Sequence, residues 1–381
     1  MSLTIDVLAR LVAFDTVSAR SNLCIIDFIE DFLADRGFRL QRIPDQTGEK
    51  SGLYAEIGPA GDGILLSAHT DVVPVEGQVW TRDPFSLTRD GDRLYGRGTT
   101  DMKGYVAAML YAADLASKVQ LSQPLKLVFS YDEEIGCVGI QNMIGQLAPL
   151  LGKPRACFVG EPTEMQVAVG HKGKAALRAI CHGQTGHSAL APKFVNALHL
   201  ATDMVSDLRG LQAWLQNHGA QDADYDIPYS TVHVGKLTSG TALNIVPDRA
   251  ELTFEYRHLA ADSSENILAK IHSAAEHICH RYRSAWPGVQ IEIDRYNAYP
   301  GLDVAPTSQV VDTALTLANA NGVTKVPFGT EAGFFAALGI PTVVCGPGSM
   351  ERQGHKPDEC IELSQLHSCE QMMQRIIDDL A

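Results

Sequence analysis

A histidine two residues ahead of an aspartate, His69-Thr70-Asp71, closes the apolar run Gly63-Ile64-Leu65-Leu66. The run reads as a buried β-strand. Both side chains then emerge at its carboxyl end, the edge of an α/β sheet where ligands and metals collect. A ligating histidine needs a second group to fix its tautomer and orientation, and Asp71 stands where it can do so. A lone His-x-Asp occurs often by chance, so by itself it reads as structural.

Further acids follow at similar points. Asp101 sits in Gly96-Arg97-Gly98-Thr99-Thr100-Asp101-Met102-Lys103-Gly104, which opens a helix over residues 105–117. Glycines before a helix could cradle phosphate, but the GxxxxGK[ST] order is absent and Asp101 takes the place of the anion. A carboxylate at a helix N-terminus is stabilised in its charged form, so Asp101 reads as either a metal ligand or an N-cap. The strand Leu125–Ser130 ends in Tyr131-Asp132-Glu133-Glu134, and a strand over 156–159 ends in Gly160-Glu161-Pro162-Thr163. Three adjacent acids repel unless a cation neutralises them or water solvates them. His355 follows a strand at 341–345 through a glycine-rich loop and can return to the same edge. Four successive strand ends are thus expected to deliver His69/Asp71, Asp101, Glu133/Glu134 and Glu161, and together they describe an oxygen- and nitrogen-lined metal cradle.

The rest of the chain must position that cradle. At 381 residues it is long for one core and suggests two domains. Residues 1–173 read as a βα-type catalytic domain, beginning with amphipathic helices at 3–17 and 22–36. Residues 174–294 change to strand, helix, strand, strand, helix, strand, a ferredoxin-like order inserted into the first domain. Residues 295–381 return to the βα pattern. Gly170-His171-Lys172-Gly173 and residues 297–301 are the expected hinges. A net charge of −14 argues against nucleic acid and anionic membrane as partners. Eight scattered cysteines without a CxxC pair read as reduced thiols. No apolar run approaches the roughly 18–20 residues of a membrane span, so a soluble, cytoplasmic enzyme is expected.

These motifs, with Thr185-Gly186-His187-Ser188 and Gly354-His355-Lys356-Pro357-Asp358-Glu359, resemble a known family in order and across essentially the whole chain. It comprises the two-metal deacylases and exopeptidases, among them acetylornithine deacetylase, succinyl-diaminopimelate desuccinylase and aminoacylases. The resemblance implies a mixed-sheet, zinc-peptidase-like α/β catalytic domain with an inserted α+β lid. It implies two Zn²⁺ ions, Co²⁺ being possible, bridged by Asp101. His69 and Glu161 would complete one site, and Glu134 and His355 the other. Asp71 would orient His69, and Glu133 would be the general base. His187 would polarise the scissile carbonyl from a partner subunit, unless it is a turn histidine capped by its neighbours. Asn244 and Arg257 look like substrate contacts, Arg257 for a free carboxylate, although a plain surface arginine would read the same. Glu331 could meet an ornithine-like amine or cap the helix that follows it.

Within the family, Gly329-Thr330-Glu331-Ala332-Gly333 and Gly346-Pro347-Gly348-Ser349 are most similar to the acetylornithine deacetylase branch. The implied reaction is hydrolysis of an N-acyl amino acid, N2-acetyl-L-ornithine first, in arginine biosynthesis. A desuccinylase or dipeptidase is the alternative inside the family. A non-catalytic metal-binding scaffold is the alternative outside it, and the presence of Glu133 speaks against that. A half-covered four-stranded sheet in the insert would leave apolar surface and so imply a homodimer.

Overall fold

Short apolar runs separated by polar turns build nine strands into one sheet. The computed structural model describes residues 2–18 and 20–381. Across the sheet the order is Arg39–Pro44, Ser51–Ile57, Leu125–Ser130, Ile64–His69, Ala156–Pro162, Thr342–Gly346, Val167–His171 and Leu302–Asp303, with Val323–Lys325 also beside Val167–His171. The four strands at 125–130, 64–69, 156–162 and 342–346 run parallel. Every residue in them is buried, as expected of strands covered on both faces. Their neighbours are antiparallel. The sheet is therefore mixed, and the architecture is the α/β one expected from the sequence.

Helix Lys103–Ala116 is buried on almost every side, between the sheet and the helices Leu3–Val12 and Leu363–Leu380. Leu8, Ile26, Phe129, Phe158 and Met372 belong to this core. Helix Val138–Leu151 lies against the strands at 51–57 and 125–130. The first expected helix stops at Val12 rather than residue 17. No helix among the described residues is long and apolar enough to cross a membrane.

The chain forms two units. The first comprises Met1–His171, Leu302–Val326 and Thr330–Ala381; the second comprises Lys172–Gly301 and Pro327–Gly329. The expected boundaries at 173/174 and 294/295 shift outward. The last strand of the second unit continues from Gln290 to Tyr299, its pairing carried past a bulge at Arg295/Asn297.

Within the second unit the sheet order is Thr231–Ser239, Arg249–His258, Gly173–His182, Gln290–Tyr299, antiparallel throughout. With helices Ala197–His218 and Ser264–Tyr282, this is the expected ferredoxin-like arrangement. Leu177, Ala179, Leu252 and Phe254 face the helices. The opposite face is not the apolar surface expected. Strict alternation puts Lys174, Arg178, Glu251, Glu255 and Arg257 there, with Lys174–Glu255 and Arg178–Glu251 pairing across strands.

Candidate metal centre

The four parallel strands end at one edge, and the site is assembled from residues at or just beyond those ends. His69 is the last residue of its strand and is 1% exposed. Its Nδ1 lies 3.0 Å from the Asp71 backbone carbonyl and 3.4 Å from the Asp71 carboxylate. A proton donated from Nδ1 leaves Nε2 with its lone pair, the state a metal ligand needs. Asp71 does more than orient the ring. Its carboxylate accepts the backbone N–H groups of Glu133 (3.0 Å) and Glu134 (3.2 Å) and the Ser18 hydroxyl (2.7 Å). One buried side chain thus ties the end of one strand to the acidic loop after its neighbour.

Nε2 of His69 faces Asp101 Oδ1 at 3.1 Å and Glu161 Oε1 at 3.7 Å. The other Asp101 oxygen, Oδ2, lies 3.2 Å from Nε2 of His355, which is also 3.0 Å from Glu134 Oε2. Asp101 therefore divides its two oxygens between two histidines 286 positions apart in sequence. It is neither the strand-end residue nor the helix N-cap expected from the sequence. Arg93–Tyr95 belongs to a small separate sheet, a turn comes after it, and the helix N-cap is Met102. Glu161 lies inside its strand, which runs on to Pro162.

Of the three adjacent acids, Asp132 pairs with Lys50. Among the described residues Glu133 and Glu134 have no lysine or arginine partner, and Glu134 instead meets the His355 imidazole. Burial and the neighbouring carboxylates Glu134, Glu331 and Asp101 push Glu133 well above the usual carboxylate range, against His69. Burial and Asp101 likewise raise Glu134 to about 7. Burial alone would lower His355, yet Asp101 and Glu134 raise it to about 10. Among the described residues no lysine or arginine pairs with Asp101, Glu133, Glu134, Glu161 or Glu331. Glu161 Oε1 is buried without a hydrogen bond. Ligand atoms of His69, Glu133 and Glu161, and of His69, Asp101 and Glu134, lie within 4.8 Å of one another. A surplus of converging carboxylates with two imidazoles suits divalent cations.

Glu331 is 1% exposed and occupies the N-cap position of the helix Ala332–Ala337, but its side chain makes no capping bond; neither of its oxygens has a hydrogen-bond partner of ordinary geometry. Burial raises its pKa to about 7 against the Ser130 hydroxyl and His69. Two contributors were not anticipated from sequence. The Cys137 thiol donates to Glu133 Oε1 at 3.2 Å, a one-turn spacing visible in retrospect. Lys50 donates to the Ser18 carbonyl as well as pairing with Asp132, and nothing in its own surroundings signals that.

Three expected site residues belong to the second unit. His187 and Asn244 come together there: His187 pairs with Ile245, and the Ser188 N–H donates to the Asn244 carbonyl at 3.0 Å. His187 Nδ1 accepts from Ala189 N–H at 3.0 Å. Arg257 stands apart from them. It lies eight residues beyond Arg249, about 26 Å along an extended strand, beside the chain crossing at Gly173. It is half-buried and bonded to Glu255 at 3.0 Å, not a free surface arginine.

Residues 65–379 match the family described as peptidase family M20/M25/M40. The fold is similar to that of an M20 family metallo-carboxypeptidase from Sulfolobus solfataricus, with TM-score 0.78, 20% identity and 99% of both chains covered. It is also similar to a dinuclear metal-binding peptidase of the M20 family from Bacillus subtilis, with TM-score 0.66, 18% identity and 99% and 97% covered. A dipeptidase from Saccharomyces cerevisiae gives TM-score 0.73, 16% identity and 98% and 95% covered.

Proposed function

The chain belongs to peptidase family M20/M25/M40 and is a metal-dependent hydrolase, and from that premise we propose that it cleaves the amide of an N-acyl amino acid. The favoured substrate is N2-acetyl-L-ornithine, giving L-ornithine and acetate, a step of arginine biosynthesis. The observation that carries the reading is the division of Asp101 between His69 and His355, inside a nest of acids that no lysine or arginine among the described residues pairs with. His69 and Glu161 would hold one divalent ion, Glu134 and His355 a second, and Asp101 both; Zn²⁺ and Co²⁺ suit these donors. Such ions supply Lewis-acid activation of water, lowering its pKa toward about 7, and stabilise charge developing on the carbonyl.

The chain's own groups account for the rest. Glu133 takes the proton of the attacking water and returns it to the leaving amine; burial among acids strengthens its hold on that proton. Asp71 holds the Glu133 and Glu134 backbone still. Glu331, buried with both oxygens unpaired, suits the ammonium of an ornithine-like side chain. Arg257 would receive a carboxylate by exchanging its contact with Glu255. His187 and Asn244, joined through the short ladder in the second unit, would act together, and a homodimer would give them to the site of a second copy.

A dipeptide or succinyl-diaminopimelate is the second reading, supported by the peptidases among chains of similar fold. The zinc-loaded protein should be assayed on acetylornithine, acetylcitrulline, acetylmethionine, succinyl-diaminopimelate and a dipeptide, with and without a chelator. We expect acetylornithine to show the highest kcat/KM and chelation to abolish turnover. Preference for succinyl-diaminopimelate or the dipeptide overturns the substrate; turnover that survives complete metal removal overturns the mechanism.

A further inference from the structure

The turn Gly98-Thr99-Thr100-Asp101 has no regular structure of its own to hold Asp101 in place. Gly98 adopts φ +84°, a conformation L side chains rarely enter. The group that fixes the turn comes from 258 positions downstream. Glu359, 1% exposed, accepts three of its backbone N–H groups on one carboxylate: Thr100 (2.9 Å) and Asp101 (3.1 Å) on Oε1, and Gly98 (3.0 Å) on Oε2. The Arg97 guanidinium, itself buried, donates to Oε2 at 2.7 Å and neutralises the charge. Thr100 Oγ1 adds a bond to the Cys360 carbonyl at 2.7 Å.

Glu359 ends a short segment whose other end is His355, and that segment is itself anchored. Gln78 Nε2 donates to the His355 carbonyl (3.0 Å), and Thr81 donates its N–H (2.9 Å) and hydroxyl (2.8 Å) to the Asp358 carboxylate. Arg97 Nη2 reaches Gln78 Oε1 at 2.5 Å. One five-residue stretch therefore carries a histidine of the site and sets the backbone of the acid that histidine faces.

From this geometry we infer that Glu359 is a positioning residue: it presets Asp101 between His69 and His355 before any cation binds. The inference rests on Asp101 being the shared ligand. Only a carboxylate can serve, because every proton directed at it needs a lone pair. A glutamine in either orientation turns an NH₂ toward a backbone N–H or toward Arg97. Charge-assisted bonds of this kind are about twice as strong as neutral ones, and loss of the partner that orients a ligand costs about 10–100-fold in metal affinity or activity.

The test is zinc titration of the metal-free full-length chain by calorimetry, comparing wild type, Glu359→Gln and a core variant away from the site, Leu8→Ala. Hydrogen exchange of the Gly98, Thr100 and Asp101 amides is followed in metal-free wild type. We expect two zinc ions bound by wild type and affinity lowered about tenfold or more in E359Q. We also expect kcat to fall with KM little changed, and all three amides to be protected before zinc is added. L8A should lose thermal stability without losing zinc affinity. E359Q binding both ions as tightly as wild type would overturn the inference, and so would amides that exchange freely until zinc arrives. If E359Q does not fold, the exchange measurement on wild type decides between these outcomes. Wild type that takes up no zinc would sink the metal assignment instead, and protection of the three amides would then decide the role of Glu359.

Discussion

Glu331 shows how much a single side chain can say about substrate. A carboxylate buried to 1% exposure with neither oxygen in a hydrogen bond of ordinary geometry is costly unless a ligand supplies what the protein withholds. Its pKa of about 7 reflects burial, and a cation placed against it would draw it back to the charged form. Replacement by glutamine keeps the shape and removes the charge. A hydrogen bond to a charged group contributes about 1.5–3 kcal/mol, so kcat/KM for acetylornithine should fall about ten- to hundredfold in Glu331→Gln. Hydrolysis of acetylmethionine, whose side chain carries no charge, should be nearly unaffected. Equal losses on both substrates would remove Glu331 from substrate recognition and return it to the metal site.

Elements explain both why the site is legible in the sequence and where that legibility ends. His69, Glu133, Glu134 and Glu161 lie at or near the ends of fully buried, mostly apolar strands that the sequence marks, and parallel pairing brings those ends to one edge. Asp101 and Glu359 carry no such mark: their contact spans 258 positions and joins a turn to a loop, so no local periodicity announces it. Helix Val138–Leu151 is hidden in the sequence because Pro149 and the glycines at 139 and 145 read as breakers, although the helix forms across them. The strand at 342–346 tests the element scale directly. A Cβ on Gly346 would lie 2.0 Å from the Gly160 carbonyl oxygen, backbone against backbone, at a register shift beside Glu161. Gly346→Ala must push apart the two strands beside Glu161, the proposed ligand. Overpacking of this kind costs about 1–3 kcal/mol, so thermal unfolding should show a lowered Tm together with weakened zinc binding. An unchanged Tm would mean that the strands can part freely there.

At the scale of the whole molecule, the second unit holds two groups of polar residues at opposite ends of one sheet. Arg257 stands beside the chain crossing at Gly173, whereas His187 and Asn244 lie beyond Arg249 at the far end. A separation of about 26 Å along an extended strand is too great for one small substrate to touch both within one copy of this unit. Exposed apolar side chains gather at that far end and along its edge strand: Leu243 fully exposed, with Leu190, Leu237 and Ile245. An edge strand and an apolar tip are features a second copy would cover. If that copy receives His187, two inactive variants can repair each other. Co-expression of Glu133→Ala with His187→Ala yields mixed dimers in which one site has an intact base from its own chain and an intact histidine from the other. Random pairing makes half the dimers mixed with one good site of two, so activity should recover to about a quarter of wild type. Each variant alone should stay near background. If the mixture is as inactive as its parents while mixed dimers are present, His187 acts within its own chain.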